Sequence, residues 1–579
     1  MATGKYSCLL LLAFVAVAVL PVTLLFLSFT SISHIWEIEG TILNYLLRSH
    51  SRIPSNNNNV TNFDKANIVN EISPNLTTCH DSYGRPDLLV NCCPPLSGEA
   101  SAVPIDFQYP LQPSTLRVRR SVHHLDSAYI AKYTKALAIM KSLPHSDPRS
   151  FTRQASIHCT FCTGAYDQKH SSATVNIHRQ WLFFPFHRMY LYFHERILGS
   201  LIGDENFALP FWNWDNPESM VFPKMFHEGP FYDSQREPTH FDQIVDLNYD
   251  EEVGIVSRGE EQVNSNLAFM YNQVISSAKK PELFMGCPLY PGDDGFCDGP
   301  GTVELAPHNT VHTWVGLGSN PGQEHMGAFY SAGFDPCFYS HHANLDRIWD
   351  IWRDIHDMHM PINDTVWLKS HFYFYDENLQ LVKIKVSDVL NITKLGYTYE
   401  KTDLTWLNKV PKPFVSPQIA KHKLKIRENY YKETSRQHLL RSKLEGRSLE
   451  NPMTIKVSRP KPYRSKEEIK EEEEVLVVYG IKIKGDMKVK FDVYVNLVNE
   501  TNVGPTYREF AGTFIRLPDV MMRSTTSEEN QKSSMKLGIS ELLNDLEADR
   551  DESIWVTLLP RTTSCAKTTF DGVRIDYMR

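Results

Sequence analysis

Two histidines stand four residues apart in "ELAPHNTVHTWVG", His308 and His312, with Glu304 four residues upstream. At that spacing both imidazoles lie on one face of a helix, close enough to share a metal ion. A surface helix also carries such a pair by chance, so the signal has to be read with the other histidines. "QASIHCTFC" supplies His158, with Cys159 and Cys162 beside it, and "VNIHRQWLFFPFHRMYLYFHERIL" supplies His178 and His187. Nine residues is the wrong spacing for one helix face, and Pro185 interrupts the stretch. His178 is therefore expected in a loop and His187 near the start of the following helix. "GFDPCFYSHHANLDRIWDIW" adds His341 and His342, followed by Asp346, at the opening of an amphipathic helix.

Three histidines before residue 190 and three after 307 make two sets. All-nitrogen coordination in two triads suits copper, whereas calcium and magnesium take oxygen ligands. A single three-histidine zinc would leave half the set unused. A di-iron site brings bridging carboxylates in Glu-x-x-His motifs, and none of these clustered histidines stands in one. His123, His124, His170, His194, His325, His356 and His359 read as structural. His194 falls two turns after His187 on the same face, about 10 Å away and too far to share its metal.

The elements that must hold these residues are mostly helical. Periodicity is clear over 125–142, 187–202 and 339–355, with long loops between, which predicts a helical core with irregular cover over 79–404. From 405 to 450 the chain turns basic and polar and reads as a protease-sensitive linker. Short β-branched and aromatic runs such as "VLVVYGIKI", "KFDVYVNLV" and "REFAGTFIRL" then predict a small β domain over 451–579. The glutamate run "KEEEE" before them fits a solvated turn.

The amino end stands apart. Lys5 precedes an apolar run from about Cys8 to Phe29, long enough to span a bilayer, and residues 1–36 read as a signal peptide or signal anchor. Residues 37–78, rich in Asn and Ser, read as a flexible spacer. Five N-x-[ST] sequons, at Asn59, Asn75, Asn363, Asn391 and Asn499, agree with export. So do the ten cysteines. Adjacent Cys92 and Cys93 do not readily bond each other, so with Cys79 they point to disulfides stapling a loop-rich entry. Cys287 and Cys297 close a short Gly/Pro loop and are a candidate disulfide. A net charge of −8 over 579 residues argues against nucleic acid as a partner. Membrane contact is expected only through the N-terminal segment, if that is retained.

Taken together, "NCCPP", "HCTFC", "HRQWLFFPFHRMYLYFHERIL", "APHNTVH", "MGAFYSAGFDP", "HHANLDR", "WLKSHFYFYDEN", "LGYTYE", "KFDVYVN" and "EFAGTFIRLPD" resemble the plant polyphenol oxidases, type-3 copper proteins of the tyrosinase and catechol oxidase group. The resemblance implies a mainly α fold: a four-helix-bundle dicopper core with long loops, followed by a small β-sandwich-like C-terminal domain. It implies two copper ions, one held by His158, His178 and His187, the other by His308, His312 and His342. It also implies a thioether between Cys162 and His178, disulfides Cys79–Cys93 and Cys92–Cys159, and Phe329 as a gate over the second copper. Glu304, with Asn309, would hold the water that deprotonates a monophenol. Tyr397 and Tyr399 match the family's tyrosine motif, with Arg119 stacking on them.

The expected activity is oxidation of o-diphenols to o-quinones by dioxygen, with some monophenol hydroxylation. The enzyme is expected to stay latent until an activating protease releases the C-terminal domain. A dedicated biosynthetic hydroxylase or oxidative cyclase is the alternative, and a haemocyanin-like oxygen carrier a more distant one. Two departures from the family stand out. Phe334 occupies a position where relatives often carry arginine, and the amino end lacks a basic transit region ahead of its apolar run. The latter predicts the secretory route to a vacuole or endomembrane lumen, with the thylakoid lumen as alternative.

Overall fold

The computed structural model describes residues 71–579 except 86, 95–102, 112–114, 251–257, 294–298, 358–361, 435, 437–442, 484–486, 500–502 and 519–531. The apolar run near the amino end and Asn59 lie outside the described residues. Among those described, no helix is long and apolar enough to cross a membrane.

Five of the described helices carry or brace the histidines: α1 (Ser127–Ser142), α2 (Phe151–Cys162), α3 (Phe183–Ile202), α4 (Asn309–Val315) and α5 (Cys337–Ile355). Local signals set their ends. The Asp126 carboxylate accepts the Tyr129 N–H at 2.8 Å and starts α1, and Gly203, at φ 70°, stops α3. Helix α3 begins four residues earlier than periodicity suggests. Pro185 sits in its first turn, where a missing N–H costs no hydrogen bond, so the proline opens the helix rather than breaking it. Nearly every α3 side chain is buried, as befits a helix covered on all sides by α1, α5 and the strand His371–Tyr375.

A buried ion network fastens α3 to α5. Asp346 on α5 receives Arg188 from α3, Arg119 from strand Arg117–Arg119 at 3.2 Å, and the hydroxyls of Tyr397 and Tyr399 at 2.8 and 2.6 Å. Arg119 also pairs with Glu195 at 2.8 Å, and its guanidinium lies 3.8 Å from the Tyr397 ring centre. Since Arg188 follows His187 and Asp346 lies one turn after His342, the network fixes the rotation of both histidine-bearing helices. The disulfides Cys79–Cys93 and Cys92–Cys159 are formed and tie the entry segment to α2. Cys287 is disulfide-bonded, while Cys297 lies outside the described residues.

The C-terminal domain is a sandwich of two four-stranded sheets. Its strands are β1 (Lys443–Ser448), β2 (Met453–Ser458), β3 (Glu473–Lys482), β4 (Val489–Val495), β5 (Phe510–Arg516), β6 (Lys532–Gly538), β7 (Ser553–Pro560) and β8 (Thr569–Met578). The sheet orders are β6-β3-β8-β1 and β5-β4-β7-β2, all antiparallel, with an aliphatic core between them.

The basic stretch read as a linker is largely structured. It holds α6 (Pro417–Glu433), whose Leu424 and Tyr431 pack on Trp555 of β7 and whose Arg427 donates to the Leu497 carbonyl at 3.0 Å. Upstream, the Phe414 N–H donates to the Glu509 carboxylate at 3.0 Å, so the stretch belongs with the sandwich from about that residue. Between buried Trp406 and this attachment, Asn408–Val410 run exposed.

Candidate metal centre

His158 projects from α2, His187 from the second turn of α3, and His178 from the loop before it. Their ring centres form a nearly equilateral triangle, 5.4, 5.5 and 5.6 Å apart. His308, one residue before α4, His312 within it and His342 on α5 form a second triangle, with sides of 4.6, 5.1 and 5.4 Å. The triangles abut, with His187 and His342 stacked at 4.2 Å. Each triad thus draws on more than one element, and the pairing of α3 with α5 closes the two halves. Gly333 lets its turn press on α2 beside His158, since a Cβ there would come 2.9 Å from the Ala155 carbonyl.

The rings are aimed by backbone carbonyls. His158 Nδ1 donates to Phe329 O at 2.8 Å, His187 Nδ1 to Phe183 O at 2.7 Å, and His312 Nδ1 to Met326 O at 2.7 Å. His308 Nδ1 donates to Glu304 O at 3.2 Å. Such bonds fix the tautomer in which Nε2 carries the lone pair. The Nε2 atoms of His158, His178, His187 and His308 are buried without a hydrogen-bond partner, and those of His312 and His342 face each other at 3.2 Å. Burial pushes every ring toward its neutral form, His187 down to about 3 and His312 to about 4. Buried neutral imidazoles with convergent, unused lone pairs are the donor set a pair of soft-to-borderline cations requires.

His341 is also drawn into the second cluster. However, Trp214 Nε1 donates to its Nδ1 at 3.1 Å, so the proton of the neutral ring sits on Nε2 and no lone pair points inward. This favours His342. His194 is outside both clusters, stacked on Tyr339 with ring centres 3.7 Å apart. Cys162 takes part in no disulfide, and its Sγ lies within 4.8 Å of ring nitrogens of His158 and His178.

Around the histidines, Phe183, Phe338 and Phe329 exclude water, Phe329 lying 4.5 Å from His178 between ring centres. Glu304 is 2% exposed; one carboxylate oxygen accepts the Arg179 N–H at 2.6 Å and the other has no hydrogen-bond partner. Burial raises its pKa to about 8, against the pull of the Arg179 amide and charge. Cations held by the neighbouring histidines would lower it again, toward a carboxylate able to orient water. Asn309 is buried beside it, and its side-chain amide donates to the Ile515 carbonyl of β5 at 3.5 Å.

The C-terminal sandwich closes the mouth. Phe514, Ile515, Arg516 and Leu517 face Arg179, Glu304, Asn309 and Phe329 across a cavity of about 20 Å³. That volume holds about one water and no aromatic ring. Of the sequons, Asn363, Asn391 and Asn499 are exposed and Asn75 is half-buried. Phe334 packs near His325, with ring centres 6.2 Å apart. The carbonyls of Met326 and Phe329, Trp214 and Arg179 carried no sequence signal, since their part depends on where distant loops meet.

Two abutting histidine triads in a helical core, followed by a β-sandwich, define a type-3 copper protein. Residues 148–355 match the common central domain of tyrosinase, 361–412 the polyphenol oxidase middle domain, and 446–577 the chloroplastic polyphenol oxidase C-terminal domain. The (+)-larreatricin hydroxylase of Larrea tridentata is 43% identical over 85% of this chain and 82% of its own length. A Malus domestica polyphenol oxidase is 42% identical over 84% of this chain and 81% of its own. The structure of latent apple tyrosinase superposes with a TM-score of 0.72 at 40% identity, covering 82% of this chain and all 100% of that one. The chain belongs to the plant polyphenol oxidase family, oxidoreductases with two copper ions as cofactor.

These relatives overturn the expected address. Both are named chloroplastic, which points to the chloroplast and away from the vacuole or a general endomembrane lumen. The physical reason lies in the signal itself: an apolar run reads the same to a secretory and to a thylakoid translocation route.

Proposed function

We propose that the protein oxidises o-diphenols to o-quinones with dioxygen, hydroxylates some monophenols, and is latent while the C-terminal sandwich is docked. His158, His178 and His187 would hold one copper and His308, His312 and His342 the other. The observation that carries the reading is the convergence of these six buried, neutral imidazoles on adjoining points. When bound, the coppers supply the two-electron exchange between dioxygen and the diphenol.

The remaining work falls to the chain's own residues. Phe329, against His178, seats the substrate ring, and the aromatic wall keeps bulk water out. Glu304 and Asn309 hold a water whose oxygen takes the phenolic proton, with the spare Glu304 oxygen as its acceptor. A thioether from Cys162 to His178 would stiffen the one candidate ligand that lies on a loop. Ile515 and Phe514 fill the place a substrate ring would take, which supports latency. Asn408–Val410 is the exposed stretch at which a protease would separate core from sandwich.

The larreatricin relative favours one second reading, a hydroxylase dedicated to a single specialised phenol. Oxygen uptake by the copper-loaded chain, nicked at Lys409 and supplied with a simple catechol, tests the main proposal. Sustained uptake far beyond one dioxygen per copper pair is expected. Uptake that halts at one per pair and reverses under vacuum would refute it and indicate a carrier.

A further inference from the structure

One short loop serves both histidine triads. Residues 323–331 supply the Met326 carbonyl that aims His312 and the Phe329 carbonyl that aims His158, and they carry Phe329 itself against His178. The loop is folded tightly on itself: the Gly327 N–H donates to Gln323 O and the Ser331 hydroxyl to His325 O, each at 2.8 Å. Its outer anchor is Glu324, which the proposed chemistry does not use. One Glu324 carboxylate oxygen accepts Arg85 Nη1 at 2.6 Å together with the Tyr330 hydroxyl, and the other accepts the Gly322 N–H at 2.9 Å.

Arg85 reaches Glu324 from 239 residues away. It ends a short strand, Ser82–Arg85, that pairs antiparallel with Leu88–Val90. The disulfide Cys79–Cys93 closes this hairpin at its base, and Cys92–Cys159 bonds it to α2 one residue past His158. The hairpin lies directly on the loop, since a Cβ on Gly84 would come 2.7 Å from the Tyr330 ring and only glycine permits that approach. His158 thus has its backbone tied covalently to the hairpin and its ring aimed by a loop that the same hairpin holds. The ion pair is largely shielded, with Arg85 20% and Glu324 11% exposed, so salt screens it little. Asp87 steadies the guanidinium from the solvent side at 3.1 Å.

We propose that Arg85 is a positioning residue for both coppers: through Glu324 and Tyr330 it fixes the loop whose carbonyls hold His158 and His312 at the angle their metals require. The proposal rests on the two ligand sets proposed above and deepens them. A ring whose Nδ1 partner shifts loses its orientation, and its Nε2 no longer converges with those of the other two histidines. Because the loop aims one ring in each triad, loosening it weakens both copper sites together.

The test dialyses the copper-loaded full chain against graded bathocuproine disulfonate with ascorbate and counts copper-free, one-copper and two-copper species by native mass spectrometry. Arg85→Met should release each copper at about tenfold lower chelator concentration than wild type, the low end for a partner one step removed from a metal ligand. Gly84→Ala, which displaces Tyr330 without touching a charge, should act in the same direction, and Arg85→Lys should recover part of the loss. Asp87→Asn removes only the exposed partner and should match wild type. The Tm of the copper-free chain separates positioning from mere stability. Copper release that simply tracks a fall in that Tm across the variants would overturn the proposal. So would a one-copper species that builds up in Arg85→Met but not in wild type, since a shared loop predicts loss at both sites. Wild type unable to hold two coppers would sink the ligand sets and the brace with them, whereas Arg85→Met holding two as firmly as wild type would sink the brace alone.

Discussion

Replacing Asp250 by asparagine should loosen the sandwich from the core. Asp250 belongs to the core and meets a buried charge cluster on the C-terminal domain. Its carboxylate pairs with Lys490 and lies 3.5 Å from Arg561, while Asp492 shares the same two cations at 3.4 and 2.7 Å. Lys490 and Arg561 are 1% and 4% exposed in the docked state. Two cations thus face two carboxylates, and the seam is neutral only while the domains are together. Asp250→Asn leaves two buried cations against one carboxylate. Removing one partner of a buried pair costs about 3–5 kcal/mol. The asparagine still hydrogen-bonds and the unmatched charge draws in water, so roughly 2 kcal/mol of this is assigned to docking. By the usual conversion that shifts the docked-to-open ratio about 30-fold. The assay is initial oxygen uptake with catechol after nicking at Lys409, without detergent, at equal copper content. The nicked variant should start about 30-fold faster than nicked wild type, within the limit set by the fully open enzyme. Equal initial rates would refute the reasoning and place the hold on the shield elsewhere, such as at Arg508, which donates to Ser276 of the core at 2.9 Å.

Three further outcomes follow from the same geometry. Glu304→Gln and Asn309→Gly should each lower monophenol hydroxylation by about 10- to 100-fold while diphenol oxidation changes much less, because hydroxylation has to begin with transfer of the phenolic proton to the water these two residues hold; stopped-flow rates with paired substrates check this. Asp346→Asn removes the carboxylate that Arg119 and Arg188 share in the core and should cost about 3–5 kcal/mol, read as a lower Tm and reduced copper retention on dialysis. His325 gives a pH signature: burial lowers its pKa, but the Asp233 carboxylate at 2.6 Å outweighs that and raises it above the ordinary value. A raised histidine stabilises the fold fully below its unfolded pKa of about 6.5 and loses that contribution as pH rises through the folded value. The Tm advantage of wild type over His325→Gln should therefore be largest below that pH and shrink above it.

The sequence by itself determined a good deal. Periodicity located α1, α3 and α5 within a few residues, because amphipathic helices write their buried face into the chain at a fixed spacing. The histidine types and spacings pointed to copper, and six of them meet as two adjoining triangles in the core. The alternating strands of the last 130 or so residues were legible for the same periodic reason. Other features depend on contacts between segments hundreds of residues apart, and no local pattern encodes those. Which of His341 and His342 keeps an inward lone pair depends on Trp214, 127 residues away. The stretch around 417–433 looks like a basic linker in isolation and becomes a docked helix because Trp555 offers Leu424 and Tyr431 a surface. Arg179 and the carbonyls that aim the imidazoles gain their part only where loops converge. The closure of the site by Ile515, some 200 residues beyond Asn309, is likewise a decision of tertiary packing.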